Sequence, residues 1–107
     1  MTKCEFFRDG ARITGFSVSG HSGYAEAGQD ILCASITAAV TLAEATINDV
    51  CGGKAKTRVR EENASIRLTL PASCDEEDTI QAVLTGLLLY LVNLRDEYPD
   101  FIEVLEV

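Results

Sequence analysis

The residues of this chain that could do chemistry together are its single histidine, His21, and a cysteine twelve residues further on, Cys33. Imidazole exchanges a proton near neutral pH and a thiolate is a strong nucleophile, so the two could form a pair for nucleophilic catalysis. Gly20, Gly23 and Gly28 predict a mobile loop beside them, which a ligand would order. The pattern indicates a thiol-dependent enzyme. The simpler alternative is a surface histidine and a small buried cysteine.

A long apolar pattern from Asp30 to about Cys51 predicts a helix with Asp30 as its N-cap. Cys33 would then lie in the first turn, where free N–H groups and the helix dipole favour a thiolate. Asp30 could instead orient His21, but capping is the preferred interpretation because one side chain geometry hardly serves both roles. Thr37 is a possible polar neighbour of Cys33, with a plain helix hydroxyl as the equally good alternative.

The other three cysteines, Cys4, Cys51 and Cys74, have no base nearby in the sequence and are expected to be structural. One histidine and dispersed cysteines do not provide the four-ligand spacing of a zinc site, so we predict neither a metal nor a cofactor. Free thiols without close spacing favour a reducing compartment. We therefore expect a cytoplasmic protein.

Hydrophobic periodicity predicts the elements that position these residues. Alternation indicates strands over 2–8, 11–19, 54–61, 64–70 and 101–107, and a period near 3.6 indicates helices over 30–51 and 75–97. Both helices can cover one face of a mixed sheet. The prediction is a single α+β domain over residues 1–107, a two-layer sandwich with the order ββαββαβ.

Several local signals refine this scheme. Asp9-Gly10 predicts a type I′ turn and Gly15 a bulge, while Gly86 suggests close packing of the second helix. Residues 73–76 resemble a capping box at the start of that helix. The first helix carries one apolar face that ends at Val50, and small or apolar residues on its other side. It is therefore expected to be the central helix or part of a subunit contact.

Charge and hydropathy limit the possible partners. The net charge is −8 in 107 residues, and the few Lys and Arg residues are scattered along the chain, so we expect no direct nucleic-acid contact and favour a basic partner. The acidic run 75–78 is best interpreted as a helix start rather than a metal or peptide site. The longest unbroken apolar run, Leu87–Val92, is too short to cross a bilayer, so no membrane association is predicted.

Two neighbouring motifs carry a family resemblance. The segments Val18-Ser19-Gly20-His21-Ser22-Gly23-Tyr24-Ala25 and Gly28-Gln29-Asp30-Ile31-Leu32-Cys33-Ala34-Ser35 resemble the signature of the ribosomal-processing cysteine protease Prp family. Length, acidity and element order extend the likeness over nearly the whole chain.

This resemblance implies a cytoplasmic bacterial endopeptidase, typically a homodimer, with Cys33 as nucleophile and His21 as base. The implied substrate is the short N-terminal extension of a basic protein of the large ribosomal subunit, cut after aromatic residues. A glycine-rich loop over the active site is also implied. The main alternative is a non-enzymatic, ribosome-associated module that clamps a peptide. A second alternative is a structural dimerisation protein.

Overall fold

The computed structural model describes the backbone of residues 1–20 and 27–107 and the side chains of residues 1–20 and 31–107. Its elements are β1 (Thr2–Asp9), β2 (Arg12–Ser19), α1 (Ala27–Ala45), β3 (Lys56–Arg60), β4 (Ser65–Thr69), α2 (Glu77–Glu97) and β5 (Ile102–Glu106). A π-helical turn, Thr46–Val50, continues α1. The predicted order ββαββαβ is confirmed.

The five strands form one mixed sheet in the order β3-β4-β2-β1-β5. Neighbouring strands are antiparallel except β1 and β5, which are parallel. The core lies between the two helices and one face of this sheet, to which the strands contribute alternate residues. The fully buried strand side chains are Cys4, Phe6, Ile13, Phe16, Leu68 and Ile102, and α2 adds Ile80, Leu84 and Leu91. This is the predicted two-layer α+β arrangement.

The first hairpin differs from the prediction by one residue in its turn. Asp9 pairs with Arg12, so the two turn residues are Gly10 and Ala11. Only Gly10 has a positive φ, 61°, which fits a type II′ turn rather than the predicted type I′. The predicted bulge is confirmed, because the register shifts between Ile13 and Gly15. A Cβ at Gly15 would collide with the neighbouring strand β4.

Helix α1 begins at Ala27, three residues before the predicted start. Asp30 is therefore the fourth residue of the helix and not its N-cap. The predicted buried stripe is correct up to Ile47, but Val50 is 79% exposed. The π-helical turn explains this, because its wider i→i+5 bonding shifts the later positions out of phase with the stripe. The helical segment ends at Gly52, whose φ is 61°, as the predicted stop required.

Helix α2 begins at Glu77, slightly after the predicted start. The predicted capping interaction is shifted by one residue, since the Cys74 N–H donates to the Glu77 carboxylate at 3.2 Å. The prediction of close packing at Gly86 is wrong, because a Cβ there would meet no atom within 4 Å. Gly86 instead lies on the outer side of the helix pair, where the missing side chain opens a groove between α1 and α2.

The outer side of α1 is unusually apolar. The segment Ile31–Val50 has a mean hydropathy of 1.5 over an 18-residue window and would suffice for a membrane span by length and composition alone, although only 28% of it is buried. The segment contains no long unbroken apolar run, because Ser and Thr residues interrupt it, as do Glu44, Asn48 and Asp49 near its end. The core helix of a soluble protein passes the same test, and here one stripe of the segment packs in the core.

Candidate active site

Cys33 lies in the second turn of α1 and is half-buried. It lies six positions after Ala27, which is about 9 Å along the helix axis. The predicted first-turn position is therefore wrong, because α1 begins earlier than the capping pattern suggested. The helix dipole acts mainly within the first turn, so activation of this thiol depends chiefly on a neighbouring base.

The flank of α1 that carries Cys33 also carries Thr37. Residues four apart lie on one side of a helix, and Thr37 is exposed one turn after Cys33. The opposite flank, with Ser35 and Leu42, lines the groove against α2. The Cys33 flank consequently points away from α2.

The β3–β4 hairpin carries two apolar residues that the rest of the fold does not fully cover. Helix α2 contacts β2, β5 and α1. On the helix-covered face of the hairpin, Ile66 pairs with Val59. Ile66 is only half-buried and Val59 is 66% exposed. An apolar surface therefore remains open on the same sheet face that the helices cover.

Gly20, the residue directly before His21, is held in place by two hydrogen bonds. Its N–H donates to the carbonyl of Asn63 at 3.1 Å, and its own carbonyl accepts from Thr2 Oγ1 at 3.3 Å. Its φ is 79°, and a Cβ would lie 2.8 Å from the carbonyl oxygen of Met1. This position requires glycine, and hydrogen bonds hold Gly20 at the start of the following segment. The mobility of the loop stays a prediction.

The sequence alone did not indicate that Thr2 and Asn63 hold Gly20. Thr2 is the one buried polar residue among the side chains described, 5% exposed at the start of β1. Asn63 lies in the turn between β3 and β4, which the sequence does not connect with His21. Only the tertiary pairing of β2 with β4 brings this turn beside Gly20.

The remaining predicted site residues lie partly outside the described part of the chain. His21 and Gly23 lie outside the described residues, and so does the side chain of Asp30. Gly28 belongs to α1 and not to a loop. The contact between His21 and Cys33 stays a prediction.

The other cysteines are poorly suited to be nucleophiles. Burial raises the pKa of the Cys4 thiol to about 12. Burial, and then the nearby carboxylate of Glu77, raise the pKa of Cys74. Cys51 follows the π-helical turn, at the end of the helix where the dipole does not favour an anion. Cys33 is thus the best candidate, and within the described ranges no group of three metal-ligating side chains occurs.

Comparison with known proteins identifies the class of enzyme to which this chain belongs. The family model for cysteine protease Prp matches residues 1–103. A ribosomal processing cysteine protease Prp of Bacillus subtilis is 29% identical over 94 residues, which cover 86% of this chain and 84% of that protein. The chain belongs to the cysteine protease Prp family. The class of enzyme is therefore a cysteine protease.

Solved structures show the same fold. The ribosomal processing protease Prp of S. aureus, in complex with a substrate peptide, superposes with a TM-score of 0.87 at 18% identity, covering both chains fully. The same enzyme with a covalently linked product peptide gives 0.85 at 19% identity, again over the full length of both chains. SMU.848 from Streptococcus mutans gives 0.90 at 19% identity, covering all of this chain and 94% of that one.

Proposed function

We propose that this protein is an endopeptidase that removes the N-terminal extension of a basic protein of the large ribosomal subunit, with Cys33 as nucleophile and His21 as general base. The observation that carries the proposal is the half-buried Cys33 thiol on an open flank of α1, in a chain that belongs to a cysteine protease family. The fixed Gly20 supports the role of His21, because the catalytic base then follows an anchored residue. Four free cysteines are in keeping with a cytoplasmic enzyme.

The proposed chemistry has two steps. His21 accepts the Cys33 proton, and the thiolate forms a bond to the scissile carbonyl carbon. The C–N bond then breaks as His21 returns the proton to the leaving amine, which gives a thioester on Cys33. His21 next takes a proton from water, the hydroxyl adds to the thioester, and the C–S bond breaks to release the new carboxyl terminus and the thiol.

The open apolar surface of the β3–β4 hairpin is the proposed binding site for the residues before the cleaved bond. Val59 and Ile66 offer aliphatic contacts on the helix-covered face of the sheet, and aromatic side chains gain most from burial against such surfaces. The relatives support a peptide substrate, since the S. aureus enzyme is described in complex with one. The net charge of −8 favours encounter with a basic protein.

The test is processing of a purified ribosomal precursor under reducing conditions, followed by mass spectrometry. Cys33→Ala and His21→Ala are expected to abolish product formation, whereas the matched control Cys51→Ala retains it. Wild-type rates in a folded Cys33→Ala or His21→Ala variant would refute the residue assignment. A precursor left intact by the folded wild-type protein would favour the non-enzymatic peptide-binding module instead.

We also propose that the enzyme is a homodimer that pairs through the outer side of the helix pair. The groove between α1 and α2, about 630 Å³, is lined by Leu42, Gly86, Tyr90 and small residues. Leu42 and Leu89 are 69% and 59% exposed. No charged residue occurs between Ile31 and Ala43 or between Thr79 and Leu94. A second copy would cover this surface without burying a charge, and would leave the Cys33 flank open.

A further inference from the structure

The fold gathers basic residues that look scattered in the sequence. Five of the nine Lys and Arg residues lie between Lys54 and Arg67. Lys56, Arg58 and Arg60 alternate along β3, and Arg67 on β4 pairs directly with Arg58. Because alternate residues of a strand share a face, these four side chains lie on the same side of the sheet. We call them the basic quartet.

The basic quartet occupies the sheet face that the helices do not cover. Leu68, the neighbour of Arg67 along β4, is fully buried in the core, so Arg67 faces the opposite side. The residues that share this open face nearby carry hydroxyl groups. By register, Ser17 and Thr69 lie opposite Arg67 and Lys56, and Ser65 lies opposite Arg60. The Cys33 flank lies across the sheet from them.

The charges of the basic quartet are available to a ligand. The ion pairs within the described part of the chain involve Arg8, Arg12 and Arg95, and none involves the quartet. All five residues of β3 are exposed. Arg67 lies over the ring of Phe7, with 4.6 Å between the guanidinium carbon and the ring centroid. The surface thus combines four cations, several hydroxyls and one aromatic ring.

We propose that this open face binds the phosphate backbone of single-stranded RNA. Arginine, lysine, serine and threonine are the side chains that contact phosphate most often, and open sheet faces with an aromatic residue suit single strands. The choice of RNA as the source of the phosphates rests on the proposed role of this protein in ribosomal protein processing. The expectation of no nucleic-acid contact rested on the net charge of −8, and it did not take into account that five of the nine cations fall within one predicted hairpin.

An acidic peptide is the less favoured occupant. A peptide strand added beside β3 would place alternate side chains on the open face, where the neighbouring residues of β3 and β4 offer hydroxyls and cations. The nearest acids, Glu61 and Glu62, lie in the turn at the end of β3, and Glu5 lies two strands away from β4. The net charge of −8 weakens the attraction at long range, so RNA binding is expected to be modest and strongly dependent on salt.

The test is fluorescence anisotropy of a labelled single-stranded RNA 12-mer titrated with the intact protein between 20 and 300 mM KCl. Four phosphate contacts give an expected slope of log affinity against log salt of about −3. Arg58→Gln combined with Arg60→Gln is expected to weaken binding at least tenfold and to reduce the slope by about 1.4. The matched control, Arg95→Glu, changes the net charge equally and should alter affinity less than twofold.

Three outcomes would overturn the proposal. The first is that the folded wild-type protein does not bind RNA at 20 mM KCl. The second is that Arg95→Glu loses as much RNA affinity as the double variant. The third is that poly-glutamate displaces the labelled RNA at a lower charge concentration than unlabelled RNA does. The last result would identify an acidic polypeptide as the partner. Processing of a short peptide substrate should be unchanged in the double variant, so a failure of this proposal is distinguishable from a failure of the protease assignment.

Discussion

The hydroxyl of Thr2 donates to the carbonyl of Gly20 at 3.3 Å and thereby connects the first residue of β1 to the residue before His21. Asn63 holds the N–H of the same glycine from another turn. Two elements far apart in sequence thus hold the backbone at the start of the segment that carries His21. This arrangement makes Thr2 a positioning residue for the proposed base.

Thr2→Val keeps the shape of the buried side chain and removes its hydrogen bond, so it should cost about 1 kcal/mol of unfolding free energy. We expect kcat to fall more than KM rises, because the change affects the position of His21 and not the substrate surface. Thr2→Ser should restore kcat, since it keeps the hydroxyl. Steady-state kinetics and chemical denaturation would measure both effects. Equal kcat in Thr2→Val and wild type would refute the positioning role.

Gly20→Ala tests the same anchor through the backbone. A Cβ would lie 2.8 Å from the Met1 carbonyl oxygen at a φ of 79°, so we expect a loss of roughly 1–2 kcal/mol from the left-handed conformation alone. Gly10→Ala is the matched control, because Gly10 also has a positive φ but its Cβ would meet no atom within 4 Å. If Gly20→Ala lost less stability than Gly10→Ala, the predicted clash with the Met1 carbonyl oxygen would be contradicted.

The ion pair between Arg12 and Glu77 joins β2 to the start of α2, with 2.5 Å between Nε and the carboxylate oxygen. Arg12 also donates to the carbonyl of Pro71 at 2.8 Å. Arg12→Ala should therefore destabilise the fold by about 1–2 kcal/mol, as expected for a partly exposed charged network. Arg95→Ala, which removes an exposed ion pair with the neighbouring Asp96, is the control and should cost little.

The same pair makes stability depend on pH. The hydrogen bond from Arg12 lowers the pKa of Glu77 from its ordinary value of 4.5. The carboxylate therefore stabilises the fold above the unfolded-state pKa, and this contribution is lost as pH falls through the lower folded-state pKa. Thermal unfolding between pH 6 and pH 3 should show a smaller loss in Glu77→Gln than in wild type. Parallel losses in the two proteins would contradict the assignment.

Val59 is expected to contact substrate. Replacement by Asp places a charge on the open apolar surface and removes a contact worth about 1.5 kcal/mol, so kcat/KM should fall about tenfold, mainly through KM. Stability should hardly change, because Val59 is 66% exposed. Val50→Asp is the matched control at an exposed valine away from the hairpin. Unchanged KM in Val59→Asp would remove this surface from the substrate site.

The proposed dimer predicts a large effect of Leu42→Glu. A symmetric interface would contain this residue twice, so two charges would enter an apolar contact and the dimer Kd should rise at least a hundredfold. Sedimentation velocity would then show a monomer at concentrations where the wild type is dimeric. Val50→Glu, which alters an exposed valine outside the groove, should remain dimeric. A wild-type protein that sediments as a monomer at 100 μM would refute the dimer.

The sequence predicted the order of elements well, because the apolar periodicity of strands and helices reflects burial directly. It placed the start of α1 wrongly, since Asp30 has the chemistry of a cap but local propensity does not decide where a helix begins. The shift moved Cys33 from the first turn to the second. The anchors of Gly20 could not be predicted, because they depend on the pairing of β4 with β2. The basic quartet lies within a predicted hairpin, but tertiary packing decides which face of that hairpin the helices leave uncovered.

The most direct measurement of the central claim is intact-protein mass spectrometry of an acid-quenched single turnover with a ribosomal precursor, followed by peptide mapping. The expected result is an adduct with the mass of the N-terminal fragment minus water, attached to Cys33 through a thioester. The adduct should be missing in Cys33→Ala. Any adduct that His21→Ala forms should hydrolyse more slowly than that of the wild type. An adduct mapped to another residue, or cleavage by Cys33→Ala at the wild-type rate, would contradict the assignment of Cys33 as the nucleophile.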